Sequence, residues 1–280
     1  MSDLLAWLRP WEPSLPILLA CALAVGLYAA GLLRGARPGV PAMLAYFLGV
    51  GLMYAVTQTH VDYYSQYLFA AHRGQHLVLH HLAPFLIALS APAPVLAAGL
   101  PAALRRLPHG RLAPLFRLLA LCYRIVQQPV IAAVLFVGLI FFWLTPSIHF
   151  DAMLSLDLYW IMNWTMAVDG LLFWWLILER GRPGITPRLS PGRRILILAL
   201  IMPPQIGLGA FITFSDRNLF EIYDVCGRAF PIGPLVDQQI GGLITWIPAA
   251  MMSVMAALVV LAFRLAPSER GAPATAAEAT

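Results

Sequence analysis

The chain has 280 residues, 60% hydrophobic and 11% charged, with a mean hydropathy of +0.78 and a formal net charge of +5. A soluble domain carries roughly 25% charged residues, so this composition excludes a water-solvated globule and makes lipid the solvent. All 18 basic residues are arginine; without lysine no retinal Schiff base can form, which excludes a rhodopsin-type pigment.

Residues 1–14 place Trp7, Trp11, Asp3 and Glu12 among prolines and read as an interfacial N-terminal segment, since a basic region typical of a signal peptide is missing. Seven apolar runs follow, at roughly 15–33, 41–58, 68–98, 114–144, 157–178, 195–215 and 239–265. A span needs ~20 apolar residues, so each run can cross a bilayer, and the third and fourth are longer than one crossing requires. Pro84, Pro92 and Pro129 are expected to kink or end helices inside those two long runs. The expected fold is all-α: an integral membrane bundle of seven transmembrane helices over residues 15–266, followed by a disordered Ala/Pro/Thr-rich cytoplasmic tail, 267–280.

Arginine placement gives an orientation. Arg34 and Arg37 follow the first run, Arg105, Arg106 and Arg111 the third, Arg180, Arg182, Arg188, Arg193 and Arg194 the fifth, and Arg264 and Arg270 the seventh. The alternate connections hold Asp62, then Asp151 and Asp157, then Asp216, Glu221, Asp224 and Asp237, with only Arg217 and Arg228 among them. The positive-inside rule then puts the N-terminus outside and the C-terminus in the cytoplasm. The positive charge is therefore topological and implies no nucleic-acid partner. Cys21, Cys122 and Cys226 lie far apart with no CxxC pair; the first two read as small core residues.

Five of the seven histidines, His60, His72, His76, His80 and His81, fall between Thr59 and Pro94. His72, His76 and His80 recur every four residues, which on a helix makes one slowly drifting stripe descending ~12 Å from the outer face. Imidazoles at this spacing can share a cation; the plainer reading is interfacial or helix–helix hydrogen bonding. Three polar groups repeating at membrane depth favour a functional role. His81 is turned away from the stripe and is left out. Arg73 disfavours a neighbouring cation unless it points to headgroups or to an acidic partner such as Asp62.

Asp169 lies inside the fifth run, at a depth that does not match the stripe, and is expected to be structural. Asp237, in Val236-Asp237-Gln238-Gln239-Ile240-Gly241-Gly242, reads as a helix-capping or first-turn residue of the seventh span, or as a carboxylate at the same face as the histidines. The candidate metal ligands are His72, His76, His80, Asp237, His60 and Asp62. Met162, Met166, Met202, Met251, Met252 and Met255 could offer thioethers to Cu(I), but methionine is also an ordinary filler of apolar bundles.

Together these motifs resemble the polytopic bacterial cytochrome c oxidase assembly factor family CtaG. The resemblance rests on Asp62, on Phe69-Ala70-Ala71-His72 with Gln75-His76-Leu77 and Ala83-Pro84, and on Trp143 and Pro146. It continues through Gly170-Leu171-Leu172-Phe173-Trp174-Trp175 and Asp237-Gln238-Gln239-Ile240-Gly241-Gly242-Leu243-Ile244-Thr245-Trp246. It implies a multi-pass protein of the bacterial cytoplasmic membrane that serves copper insertion into a haem–copper oxidase. The implied partners are oxidase subunits and a periplasmic copper chaperone. His72 and His76 match the family's HxxxH, and Asp237 matches its acidic residue before the last span. Two positions depart. The family often carries an HxxEH-like pair at the start of span five, where this chain has Tyr159 and Asn163, and His80 stands where the family tends to have methionine.

The oxidation state of the copper is open at this level. A metal transporter or channel and a non-metal scaffold are the alternatives; a bis-His haem carrier ranks behind them, because the embedded histidines lie almost entirely on one helix. No nucleophile–base pair, phosphate loop or cofactor fingerprint is present, so no catalytic turnover is expected.

Overall fold

The computed structural model describes residues 10–106, 110, 112–179 and 189–265. These residues are arranged as helices and short connections, in the order α1 (Leu15–Leu33), α2 (Val40–Gln58), α3 (His60–Tyr67), α4 (Phe69–His76), a π-helical turn (Leu77–Leu82), α5 (Ala83–Leu89), α6 (Ala93–Gly99), α7 (Ala102–Arg106), α8 (Ala113–Val126), α9 (Pro129–Trp143), α10 (Pro146–Leu154), α11 (Leu156–Leu178), α12 (Pro191–Phe214), α13 (Ile222–Val225) and α14 (Pro234–Leu265). Prolines punctuate the chain. Helices α1, α2, α6, α8, α9, α10 and α12 carry one at their first or second position, where the missing N–H has no intrahelical partner to lose.

Helices α1, α2, α11, α12 and α14 are each long and apolar enough to cross a membrane. The two long runs are not straight. The segment 69–89 meets α6 at 77°, and α8 meets α9 at 78°, giving up to seven spans if each bent pair counts as one. At the first bend Ala91 takes φ 47°, in the left-handed region, just before Pro92. At the second, Gln128 is extended and caps α9 by accepting from the Ile131 N–H (2.8 Å), with Pro129 opening the helix. The buried Gln127 beside it donates to the Leu172 carbonyl of α11 (2.8 Å). The N-terminal segment expected at 1–14 is described only from residue 10, where Trp11 N–H donates to the Gln58 carbonyl (2.7 Å). The Arg-rich connection 180–188 and the tail expected from Pro267 lie outside the described residues.

The helices bury three apolar clusters. One packs Phe85, Phe136, Phe173, Trp174, Leu198 and Met252 towards the Arg-bearing end. A second gathers Phe69, Trp143, Tyr159, Met162, Ile212 and Tyr223 around the histidine helix. The third joins α1 and α2 to α5 and α6 through Tyr28 stacked on Tyr46 at 4.0 Å, with Ile87 and Val95. Arg34 closes this corner by donating to the carbonyls of Ala98, Gly99 and Leu100 at the end of α6.

A candidate metal centre on the histidine helix

The histidine helix begins without a capping side chain of its own, because Leu68 holds the cap position. Its first N–H groups are satisfied from 168 residues away. Asp237, fully buried in the first turn of α14, accepts from Phe69 N–H (3.0 Å) and Ala70 N–H (2.9 Å). A carboxylate at a helix N-terminus is also favoured by the helix dipole. Asp237 therefore caps α4 across the bundle. Its other contact is an ion pair with Arg228, which also binds Asp224 (2.8 Å). Gln238 fixes the preceding loop by accepting from Leu219 N–H (2.7 Å) and donating to the Arg217 carbonyl (3.0 Å). Close approach of the two helices needs Gly241, where a Cβ would sit 2.3 Å from the Phe69 ring. Asp237→Ala should lower thermal stability in detergent by about 1–3 kcal/mol, by uncapping α4 and stranding Arg228. Asp237→Asn should lose less, since its amide oxygen can still accept one of the bonds.

On the helix so anchored, His72 and His76 are both buried, with ring centroids 4.4 Å apart. All four of their ring nitrogens lack a hydrogen-bond partner. The Ser65 carbonyl lies near His72 and the Asn163 amide near His76, but neither contact has hydrogen-bond geometry. A buried polar atom left unpaired costs about 1–3 kcal/mol, and in this pair both nitrogens of both rings are so left.

Its surroundings correct several expectations. Arg73 reaches neither headgroups nor Asp62; it is buried and donates through Nε to Thr245 Oγ1 (3.0 Å). Asp62 is buried one layer out, accepting from Gln75 Nε2 (2.7 Å), Tyr159 Oη (2.7 Å) and Gln66 Nε2 (3.0 Å). Tyr159 in turn stands 6.3 Å from the His72 ring. The positions Tyr159 and Asn163 thus flank the pair, one on each histidine. His60 is elsewhere, packed against Trp11 at 5.4 Å.

Burial pushes the Asp62 carboxyl from its ordinary 3.8 up to about 6, against the pull of its three hydrogen-bond donors. Between these values the folded protein binds more protons than the unfolded chain. Stability therefore falls as pH rises from about 4 to about 6. Asp62→Asn should flatten that part of the profile, measured by thermal unfolding in detergent across this range; an unchanged slope would contradict the assignment.

The third member of the stripe leaves it. Residues 77–82 form a π turn with i→i+5 bonding, and both His80 and His81 are buried in the bundle, His81 against Phe136 and Trp174. Pro84 has no N–H to offer the His80 carbonyl four residues back, and Trp174 Nε1 donates to it instead (3.1 Å). His80 Nε2 lies 3.0 Å from Asp169 Oδ2, and its ring stacks on Phe136 at 4.1 Å. Asp169, expected to sit at another depth, is therefore the direct partner of His80. Gly170 makes the approach possible, since a Cβ there would lie 2.5 Å from the His80 carbonyl oxygen.

A further imidazole stands beside the pair. His149, on the short α10, packs edge-on to His72 at 5.0 Å. Its Nδ1 donates to the Trp143 carbonyl (3.0 Å), which leaves Nε2 to accept from the Tyr223 hydroxyl (3.1 Å). Burial pushes it down to about 3, so it is neutral. Nothing in its spacing marked it, because it lies alone in a connection and meets His72 only through the fold. Among the described residues no group of three or more His, Cys, Asp or Glu is gathered so as to hold a metal ion. The six sequence candidates thus resolve into a His72–His76 pair, with Asp62 behind it and His80, Asp237 and His60 engaged elsewhere.

A family model described as cytochrome c oxidase caa3 assembly factor (Caa3_CtaG) matches residues 26–266. No curated protein and no solved structure matches the chain.

Proposed function

The chain belongs to the family of cytochrome c oxidase caa3 assembly factors, and from that premise we propose that it holds copper transiently between His72 and His76 and passes it to a haem–copper oxidase subunit. The observation that carries this reading is the pair of adjacent buried imidazoles whose four nitrogens have no hydrogen-bond partner. Neutral imidazole is a good copper donor. Two ligands hold a metal loosely enough to release it, as delivery requires.

Charge favours the monovalent ion. Arg73 adds a buried positive charge beside the pair, and Asp62 supplies a carboxylate only through Tyr159 and Gln75. At low dielectric a second positive charge on the metal would be costly, so Cu(I) suits this setting better than Cu(II). A channel is less well supported. The polar line from His72 continues to His80 and Asp169 and then meets a wall of Phe136, Phe173 and Trp174.

The family supports a bacterial cytoplasmic membrane protein, and the arginine distribution supports an orientation with the histidine end outside, where a periplasmic copper chaperone could load it. A reporter active only outside the cytoplasm should work when fused near Asp216–Gly233 and fail near Arg182–Arg188. The reverse pattern would put the pair on the wrong side for this function.

The functional test is oxidase maturation. Cells lacking the protein should keep oxidase subunits in the membrane with lowered copper content and activity, partly rescued by added copper. Complementation with His72→Ala or His76→Ala should fail to restore both. Normal copper content with low activity would instead favour a scaffold that acts without metal.

A further inference from the structure

Between α1, α2, α8 and α11 lies a cavity of about 1120 Å³, just above the usual size range of ligand pockets. Its walls are apolar, with Tyr46, Phe116, Trp164 and Trp175 among them. Of the buried polar groups in the wall, Thr57 donates to the Met53 carbonyl and Tyr46 to the Ala24 carbonyl, which leaves Asn163. Asn163, 2% exposed, lines the cavity; its amide also lies near His76 and Tyr159, but neither its nitrogen nor its oxygen has a partner with hydrogen-bond geometry. It lies seven residues into α11, ~10 Å from the start of that helix.

From this juxtaposition we propose that the cavity binds a long-chain amphiphile with an uncharged, carbonyl-bearing ring as its head, of the isoprenoid quinone class, with a ring oxygen accepting from Asn163 Nδ2. Three observations select that chemistry. Helices α1, α2 and α11 beside the cavity are each long and apolar enough to cross a membrane, so the surrounding solvent supplies amphiphiles rather than water-soluble ligands. No arginine or histidine lines the cavity among the described residues, and Glu179 is its one ionisable carboxyl, so an anionic head such as a phosphate has no counter-charge. A neutral head can descend to the depth of Asn163, and the aromatic lining suits a flat ring.

The test uses the full-length protein in mild detergent, titrated with decylubiquinone while tryptophan fluorescence is followed, since Trp164 and Trp175 line the cavity. Wild type should show saturable quenching. Asn163→Leu should weaken the apparent affinity about tenfold, as expected for losing one buried hydrogen bond. Ala167→Phe, one helical turn from Asn163 and also in the lining, should abolish saturation by filling the space. It carries the test if the Asn163 variant fails to fold. Linear quenching identical in all three proteins would reduce the effect to partition into micelles and overturn the proposal. Saturable quenching unaffected by Asn163→Leu, or displaced by phosphatidylcholine with brominated acyl chains, would assign the cavity to ordinary lipid tails and also overturn it. The readout involves no metal, so it stands or falls separately from copper delivery.

Discussion

Replacing His72 and His76 together with alanine should abolish copper binding while leaving the protein inserted and at least as stable without metal. The sign of the stability change is informative. If these imidazoles were structural, their removal would strand partners and destabilise the bundle, as His149→Ala should do. That change leaves the Trp143 carbonyl and the Tyr223 hydroxyl unpaired, at about 1–3 kcal/mol. The His72–His76 pair has no such partners to strand. Its removal eliminates four unpaired buried nitrogens, which offsets the packing lost with the rings. Added Cu(I) should raise the melting temperature of wild type by mass action and leave that of the double variant unchanged. A double variant that is strongly destabilised and still binds copper with unaltered stoichiometry would reverse the assignment.

Gly170→Leu should have a large structural effect. Any side chain there must displace the His80 backbone, whose carbonyl oxygen lies 2.5 Å from the position of a Cβ. Separating α11 from the π turn would break the Trp174 bond to that carbonyl and the His80–Asp169 contact together. Overpacking alone costs about 1–3 kcal/mol, and the two lost buried bonds add to it. Folded yield from the membrane should fall sharply. Gly138→Leu is the control, since nothing lies within 4 Å of a Cβ there; it should be tolerated. Equal yields of the two variants would contradict the packing described at Gly170.

Much of this architecture was legible in the residues because lipid imposes strong local rules. Runs of apolar residues gave the spans, and prolines marked the two bent ones. The HxxxH spacing brought His72 and His76 together because both lie on one regular helix, where sequence distance fixes spatial distance. Legibility ended where that regularity ended. A four-residue repeat carries His80 on the same stripe only if the helix stays α, and the π turn at Leu77–Leu82 has no local signature. Asp237 read as a residue of its own helix start, since a side chain's service to a neighbouring helix 168 residues away leaves no mark in local spacing. Asp169 and His149 were misjudged or missed for the same reason: each meets its histidine only through the packing of separate helices. The pairing of Pro84 with Trp174 shows how such a contact arises. The proline removes a donor, and a distant indole supplies one.

Copper-edge X-ray absorption on the Cu(I)-loaded protein reads the ligands of the bound ion. Wild type should show a low-coordinate site of nitrogen donors with imidazole scattering, absent from the His72→Ala/His76→Ala protein after the same loading. A sulfur shell in wild type, or the same imidazole signal in the double variant, would contradict copper held between His72 and His76.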